Sequence, residues 1–201
     1  MRVLVTGITG FAGGHLAEAL LARGGAEVYG VSRSGWWPAE WQYLEGRAAL
    51  RACDLGNRDA VQAVLEEVKP EQVYHLAGYP HVGRSLREPD AAWEGNLTAT
   101  RNLYEAVARW GGRPRILAIG SGLVYGDPDT PEQAYDEGCP LRPTTPYAAS
   151  KAAADLAGYQ AGRAPGLVVV RARPFNHIGP RQSPQFAVAH FAEQIAAVER
   201  G

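Results

Sequence analysis

Residues 6–16 read "TGITGFAGGHL" and follow the short apolar run "RVLV" at 2–5. Four glycines, Gly7, Gly10, Gly13 and Gly14, fall within eight residues where a strand pattern gives way to a helix pattern. Glycine weakens a regular element by roughly 0.5–1 kcal/mol relative to alanine, so a cluster at such a junction answers a need of the backbone. Gly7 allows a tight turn, Gly10 a close approach of main chain to a pyrophosphate, and Gly13 tight packing of helix on strand. The first-turn N–H groups, those of Phe11 and Ala12 among them, then face a phosphate with the positive end of the helix dipole behind them. The spacing is G-x-x-G-x-x-G, and taken alone it leaves a merely glycine-rich turn open.

Outward from this turn the pattern alternates. Strand-like runs at 2–6, 26–32, 48–55, 72–78, 115–121 and 166–173 are separated by helix-like stretches at 11–24, 58–70, 89–112, 146–162 and 184–201. Strands that alternate with helices pair in parallel through right-handed crossovers. The expected fold class is α/β: a doubly wound parallel sheet, a Rossmann fold, in the order 3-2-1-4-5-6. Residues 1–173 form the dinucleotide-binding domain with the catalytic residues, and 174–201 begin a smaller substrate lobe that is largely absent. The segment "SGWWPAEWQYLEG" (34–46) holds three tryptophans. A packed excursion over the sheet edge is the favoured reading, and an exposed patch for a partner subunit is the other.

At 201 residues, 46% hydrophobic and 20% charged, the chain is long enough for a real core, and its net charge of −1 carries no basic footprint for nucleic acid or membrane. No apolar run reaches the length of a membrane span. Cys53 and Cys139 sit in no metal or redox spacing, so no metal is expected, and a cytoplasmic location is the simplest.

In a doubly wound sheet, ligands sit at the carboxyl ends of the strands. Asp54 and Leu55 close the third strand, where a carboxylate and a backbone N–H meet an adenine. His75-Leu76-Ala77-Gly78 closes the fourth, beside the pyrophosphate and the nicotinamide ribose. An acidic residue closing the second strand would bind a ribose 2′-hydroxyl, but Ser32 and Arg33 stand there. A guanidinium suits a 2′-phosphate, so NADP(H) is expected over NAD(H), with NAD(H) still possible.

Tyr147-Ala-Ala-Ser-Lys151 opens a helix, with the phenol and the ammonium on one face at i, i+4. An ammonium nearby lowers a phenol's pKa and makes it a usable general acid/base. Eighteen of the twenty basic residues are arginine, so with nine tyrosines and two lysines a chance Tyr-x-x-x-Lys is expected only about 0.1 times. Ser121 closes the fifth strand, placed to hydrogen-bond a substrate carbonyl across from Tyr147.

The glycines, Asp54, His75-Leu-Ala, Asn96 in the long helix, Ser121 four residues before Tyr125-Gly126, and Tyr147-x-x-x-Lys151 together resemble an extended short-chain dehydrogenase/reductase, a family that acts on nucleotide sugars. The segments "RARPFNHIGPRQSPQF" (171–186) and "TPYAASKAAADL" (145–156) look like the GDP-6-deoxy-D-mannose reductases within it. The resemblance implies that Pro174 and Phe175 line the nicotinamide, that Asn176 and His177 face the sugar or its diphosphate, and that Val82 and Ser85 flank the sugar. Arg173 and Arg181 are candidates for the diphosphate. It further implies hydride delivery from NADPH to C4 of a 4-keto-6-deoxy sugar, with Tyr147 protonating the alkoxide, Ser121 polarising the carbonyl, and Lys151 tuning Tyr147 and holding the ribose. Pairing into a homodimer through helices 89–112 and 146–162 is implied as well.

The 4,6-dehydratases of this family carry an acidic residue two positions before the tyrosine of the "VYG" segment, and here that position is Leu123. A leucine cannot move a proton, so elimination of water is not expected. A 4-epimerase remains the nearest alternative. Family members run to roughly 300 residues, so a fragment and a natural short form are both open, and with them an NADP(H)-binding module without turnover.

Overall fold

The structure is a computed structural model that describes residues 1–130, 132 and 134–200, so the end of the expected helix at Gly201 lies outside the described residues. Among these, one sheet holds β1 (Arg2–Thr6), β2 (Glu27–Ser32), β3 (Ala49–Ala52), β4 (Gln72–His75), β5 (Arg115–Ile119) and β6 (Val168–Ala172). All pairings are parallel and the order is β3-β2-β1-β4-β5-β6, as expected. The helices are α1 (Phe11–Arg23), α2 (Arg58–Val68), α3 (Val82–Ser85), α4 (Pro89–Trp93), α5 (Ala99–Trp110), α6 (Pro146–Arg163) and α7 (Ala187–Arg200).

β1 is central because its side chains are apolar on both faces. Val3 and Val5 pack with Ile8, Ala17, Val28 and Leu44 under α1. Leu4, pointing the other way, packs with Leu65, Val73, Leu103, Val107 and Ile116 under α2 and α5. Local chemistry sets the helix ends. Asn57 caps α2 by accepting the N–H groups of Asp59 and Ala60, and Thr145 caps α6 by accepting that of Ala148.

Several expected boundaries shift. The strands expected to reach residues 55, 78 and 121 stop at Ala52, His75 and Ile119, because the chain turns out of the sheet at its carboxyl edge. The expected helix 89–112 is interrupted by a wider π turn over Glu94–Thr98 between α4 and α5, which carries the buried Asn96. Helix α7 starts at Ala187, three residues late. It has no buried residue, and Val188, Phe191, Ile195 and Val198 lie exposed along it. Among the described residues no helix is long and apolar enough to cross a membrane.

The tryptophan-rich segment divides. Trp37 and Trp41 are buried against α1 and the sheet, while Trp36 is 72% exposed. A Cβ on Gly14 would lie 2.1 Å from the Trp41 indole, so this glycine exists for the packing of that ring. Gly14→Ala should therefore lower stability by about 1–3 kcal/mol through overpacking, although alanine is the better helix former by about 1 kcal/mol. Urea unfolding checks this, and a stabilised variant would contradict the packing.

Candidate functional site

The glycine turn is built by contacts that tolerate no side chain. Gly7 has φ +71°, and a Cβ on it would sit 2.8 Å from the Ala77 nitrogen at the end of β4. A Cβ on Gly13 would sit 2.1 Å from the Gly7 carbonyl oxygen, so α1 rests on the turn itself. Gly10 caps the helix with its backbone alone: its carbonyl accepts the Gly14 N–H at 2.9 Å, and its own N–H donates to the Gly7 carbonyl at 3.0 Å. Among the described residues no side chain accepts from the first turn of α1, so the N–H groups there are left for a ligand oxygen. Phe11 stacks on His177 at 6.0 Å, which brings the expected sugar-facing segment over the start of α1.

Arg33 is exposed just past β2 and makes no hydrogen bond or ion pair among the described residues, whereas the Ser32 hydroxyl accepts the N–H of Gly35 at 3.0 Å. Asp54 lies beyond the end of β3 rather than within it. It is exposed, with one carboxylate oxygen accepting the Gly56 N–H at 2.9 Å. The Leu55 side chain is in the core, so only its backbone is available to a ligand.

Ser121, Tyr147, Lys151, Gly78 and Asn96 converge at the carboxyl ends of β4 and β5. Ser121 acts on the Tyr147 phenol by lowering its pKa, while Ser121 Oγ accepts the Leu123 N–H at 3.2 Å. Lys151 is buried and donates to the Ile119 carbonyl at 3.1 Å. A Cβ on Gly78 would lie 2.7 Å from Asn96 Oδ1 and 3.2 Å from Lys151 Nζ, which explains the glycine after Ala77. Burial lowers the Lys151 pKa to about 8. Burial raises the pKa of the Tyr147 phenol, and Ser121 lowers it by less. This corrects the expected tuning: in this structure the ammonium is turned to Ile119, and desolvation governs the phenol, which stays in its acid form at neutral pH.

Below this group lies a polar chain that the sequence motifs did not single out. The Ala77 N–H donates to Thr6 Oγ1 (3.1 Å), which lies 2.8 Å from His75 Nδ1, and His75 Nε2 lies 2.9 Å from Thr100 Oγ1. The Thr100 hydroxyl spends its hydrogen on the Asn96 carbonyl at 2.5 Å. His75 Nε2 must then be the donor and Nδ1 the acceptor from Thr6. His75 is a neutral, fully enclosed link holding the end of β4 to the π turn, and it does not reach the cleft. Thr6, a polar end to an apolar strand, and Thr100, four residues after Asn96, were the available signals.

Three expected polar contacts are redirected. Ser85 is fully buried, donating to the Val82 carbonyl at 2.6 Å and accepting the Tyr147 N–H at 3.2 Å, so its side chain braces α6 rather than flanking a sugar. Arg173 is bound by Asp155 through two nitrogens, at 3.0 and 2.8 Å, and by the Tyr125 hydroxyl at 3.0 Å. Arg181 pairs with Glu18 at 3.1 Å and lies 4.5 Å over the Trp41 ring. Both arginines are thus committed within the protein, not offered to a diphosphate. Val82 opens α3 beside these residues, and Asn176 and His177 are exposed. Phe175 is 57% exposed and its ring lies against Gly122, while the Pro174 carbonyl accepts the Gly122 N–H at 2.8 Å.

A nucleotide fold, a glycine cradle and a Ser/Tyr/Lys group at the strand ends coincide in one cleft. Residues 3–201 match the NAD dependent epimerase/dehydratase family. The chain belongs to that family. It is 35% identical over 202 residues to the GDP-6-deoxy-D-mannose reductase of Pseudomonas aeruginosa, covering all of this chain and 60% of that one. Among solved structures it resembles the Thermus thermophilus UDP-glucose 4-epimerase in complex with NAD (TM-score 0.88, 36% identity, 96% of this chain and 62% of that one). It also resembles RMD from Pseudomonas aeruginosa complexed with NADPH (TM-score 0.80, 35% identity, 100% and 62%). Relatives named as 4,6-dehydratases and 4-epimerases match at 30% and 34% identity, so identity alone does not choose the reaction. The chain spans about 60% of the length of the curated relatives it matches.

The enclosed His75 gives a pH signature. Burial first, and the Lys151 charge second, hold its pKa down to about 3, against 6.5 in an open chain. Between these values the unfolded state takes up a proton that the folded state refuses, so stability falls as pH drops below 6.5. The slope from this group is about 1.4 kcal/mol per pH unit. Urea unfolding at pH 7, 6 and 5 should show it, and His75→Asn should flatten it. An identical slope in the variant would contradict the assignment.

Proposed function

We propose that this protein is an NADPH-dependent reductase of the 4-keto group of a nucleotide-linked 4-keto-6-deoxy sugar, GDP-4-keto-6-deoxy-D-mannose foremost. The observation that carries this reading is the meeting of Ser121, Tyr147 and Lys151 at the strand ends, with Leu123 where an acid for elimination would stand. Burial raises the Tyr147 pKa, so the phenol carries its proton at neutral pH. Reduction of a ketone needs a proton donor at the forming alkoxide.

The residues present fit a nicotinamide dinucleotide. The turn at Gly7, Gly10 and Gly13, with the N–H groups of Phe11 and Ala12, would hold the pyrophosphate. Asp54 and the Leu55 backbone would meet the adenine, and Leu76, Ala77, Gly78 and Asn96 would border the ribose with Lys151. Pro174 and Phe175 would lie on the nicotinamide side. A coenzyme bound there supplies the hydride. Tyr147 gives its proton to the substrate oxygen, and Ser121 donates a hydrogen bond to the same oxygen, stabilising its developing charge. Val82, Asn176 and His177 remain candidates for the sugar nucleotide. Leu123, exposed in the turn after Ser121, offers no acid for elimination.

The unpaired Arg33 supports NADPH over NADH, since it stands where a 2′-phosphate would lie. A 4-epimerase is the second reading, favoured by the likeness to the Thermus thermophilus epimerase. It would begin with Tyr147 taking a proton from a sugar hydroxyl, whereas the reductase begins with Tyr147 giving one. A homodimer through the helices of 89–112 and 146–162 goes with this reading, and light scattering tests it.

NADPH oxidation with GDP-4-keto-6-deoxy-D-mannose, followed by absorbance, tests the reaction. Tyr147→Phe should cut turnover about 10²–10⁴-fold with coenzyme affinity nearly kept. Interconversion of 4-hydroxyl epimers without net NADPH loss would establish the second reading, and NADPH bound without either reaction would mark a binding module. Arg33→Ala should weaken NADPH by roughly tenfold or more and leave NADH little changed. Equal losses for both coenzymes would remove the NADPH preference.

A further inference from the structure

The Tyr147 N–H and the Tyr147 carbonyl are both held by buried side chains, one from Ser85 far away in the chain and one from Ser150 within the same motif. The Tyr147 N–H belongs to the first turn of α6, where a helix has no internal acceptor. Thr145 serves Ala148 instead, at 3.1 Å. The Tyr147 N–H is accepted at 3.2 Å by Ser85, which is 62 residues away in the chain. The Ser85 hydrogen is spent on the Val82 carbonyl at 2.6 Å, so a lone pair of Oγ is fixed toward α6. At the other end, the Tyr147 carbonyl accepts the Ser150 hydroxyl at 2.8 Å. Ser150 in turn accepts from Asn96 Nδ2 at 2.9 Å, and Asn96 Oδ1 accepts the Tyr79 N–H at 2.9 Å. Both routes end in residues 79–85. Ser85, Ser150 and Asn96 are all buried, so no water competes for these bonds.

We infer that Ser85 is a positioning residue for Tyr147, and that together with the Ser150–Asn96 arm it couples the backbone of segment 79–85 to the place of the phenol. The inference rests on the reading of Tyr147 as proton donor and deepens it. A group that must sit within hydrogen-bond reach of a reacting oxygen loses much of its effect when displaced by about 1 Å. Removing the Ser85 hydroxyl leaves the Tyr147 N–H and the Val82 carbonyl without this partner and lets the first turn of α6 move. The phenol then moves away from Ser121, the one neighbour that lowers its pKa.

The test is a titration of the 201-residue chain carrying ¹³Cζ-labelled tyrosine, with the Tyr147 resonance assigned by its absence in Tyr147→Phe. In Ser85→Ala the Tyr147 midpoint should rise by about half a pH unit or more while the other tyrosines keep theirs. An unchanged or lowered Tyr147 midpoint, or an equal shift of all tyrosines, overturns the inference. Ser150→Ala removes the other arm, carries the same expectation, and serves as the test if Ser85→Ala does not fold. The titration uses neither coenzyme nor sugar, so absence of ketone reduction, which would sink the proposed function, leaves this result readable.

Discussion

Helix α1 lies in atomic contact with the turn that precedes it, and the rest of the site depends on that contact. With a Cβ at residue 13 only 2.1 Å from the Gly7 carbonyl, any larger residue would push the helix off the sheet. Gly7 is pressed in the same way against Ala77 at the end of β4. Two absent side chains therefore lock β1, α1 and β4 into one unit, with the helix N-terminus opening at the carboxyl edge of the sheet. There the order of strands reverses on either side of β1, and the crevice of a doubly wound sheet forms.

A second set of constraints acts from beneath. Thr6, His75, Thr100 and the Asn96 carbonyl form a chain of hydrogen bonds that all run in one direction, so each group has a single orientation. Asn96 belongs to this chain through its backbone, and through its side chain to Tyr79 and Ser150. The π turn makes this dual use possible, since the extra residue turns Asn96 inward between α4 and α5. Tyr147 is thus fixed, through Asn96 and Ser150, by buried neutral polar residues. Arg173 and Arg181 are engaged in ion pairs of their own.

Much of this was legible in the sequence, and the reasons are specific. The strand order follows from alternation of elements and from the handedness of crossovers. Gly7, Gly10 and Gly13 were legible because their spacing expresses a local backbone need. Tyr147 and Lys151 were legible because helical spacing brings i and i+4 together. What the sequence concealed depends on long-range partners. Ser85 looked like a cleft residue because its burial depends on α6. Arg173 and Arg181 looked available because Asp155 and Glu18 lie 18 and 163 residues away in the chain. The direction of the Tyr147 shift was misjudged for a related reason: i, i+4 spacing says where Lys151 starts, not that its ammonium turns to the Ile119 carbonyl.

On the proposed reading, the glycine turn and the Ser121/Tyr147/Lys151 group belong to one nicotinamide site carried whole by this chain. Titration calorimetry of the 201-residue protein with NADPH tests that unity most directly. Saturable binding of one NADPH per chain is expected, abolished when Gly13 is replaced by valine in a variant that still folds. Absence of binding to the folded wild-type chain, or undiminished binding to a folded Gly13→Val variant, would contradict it.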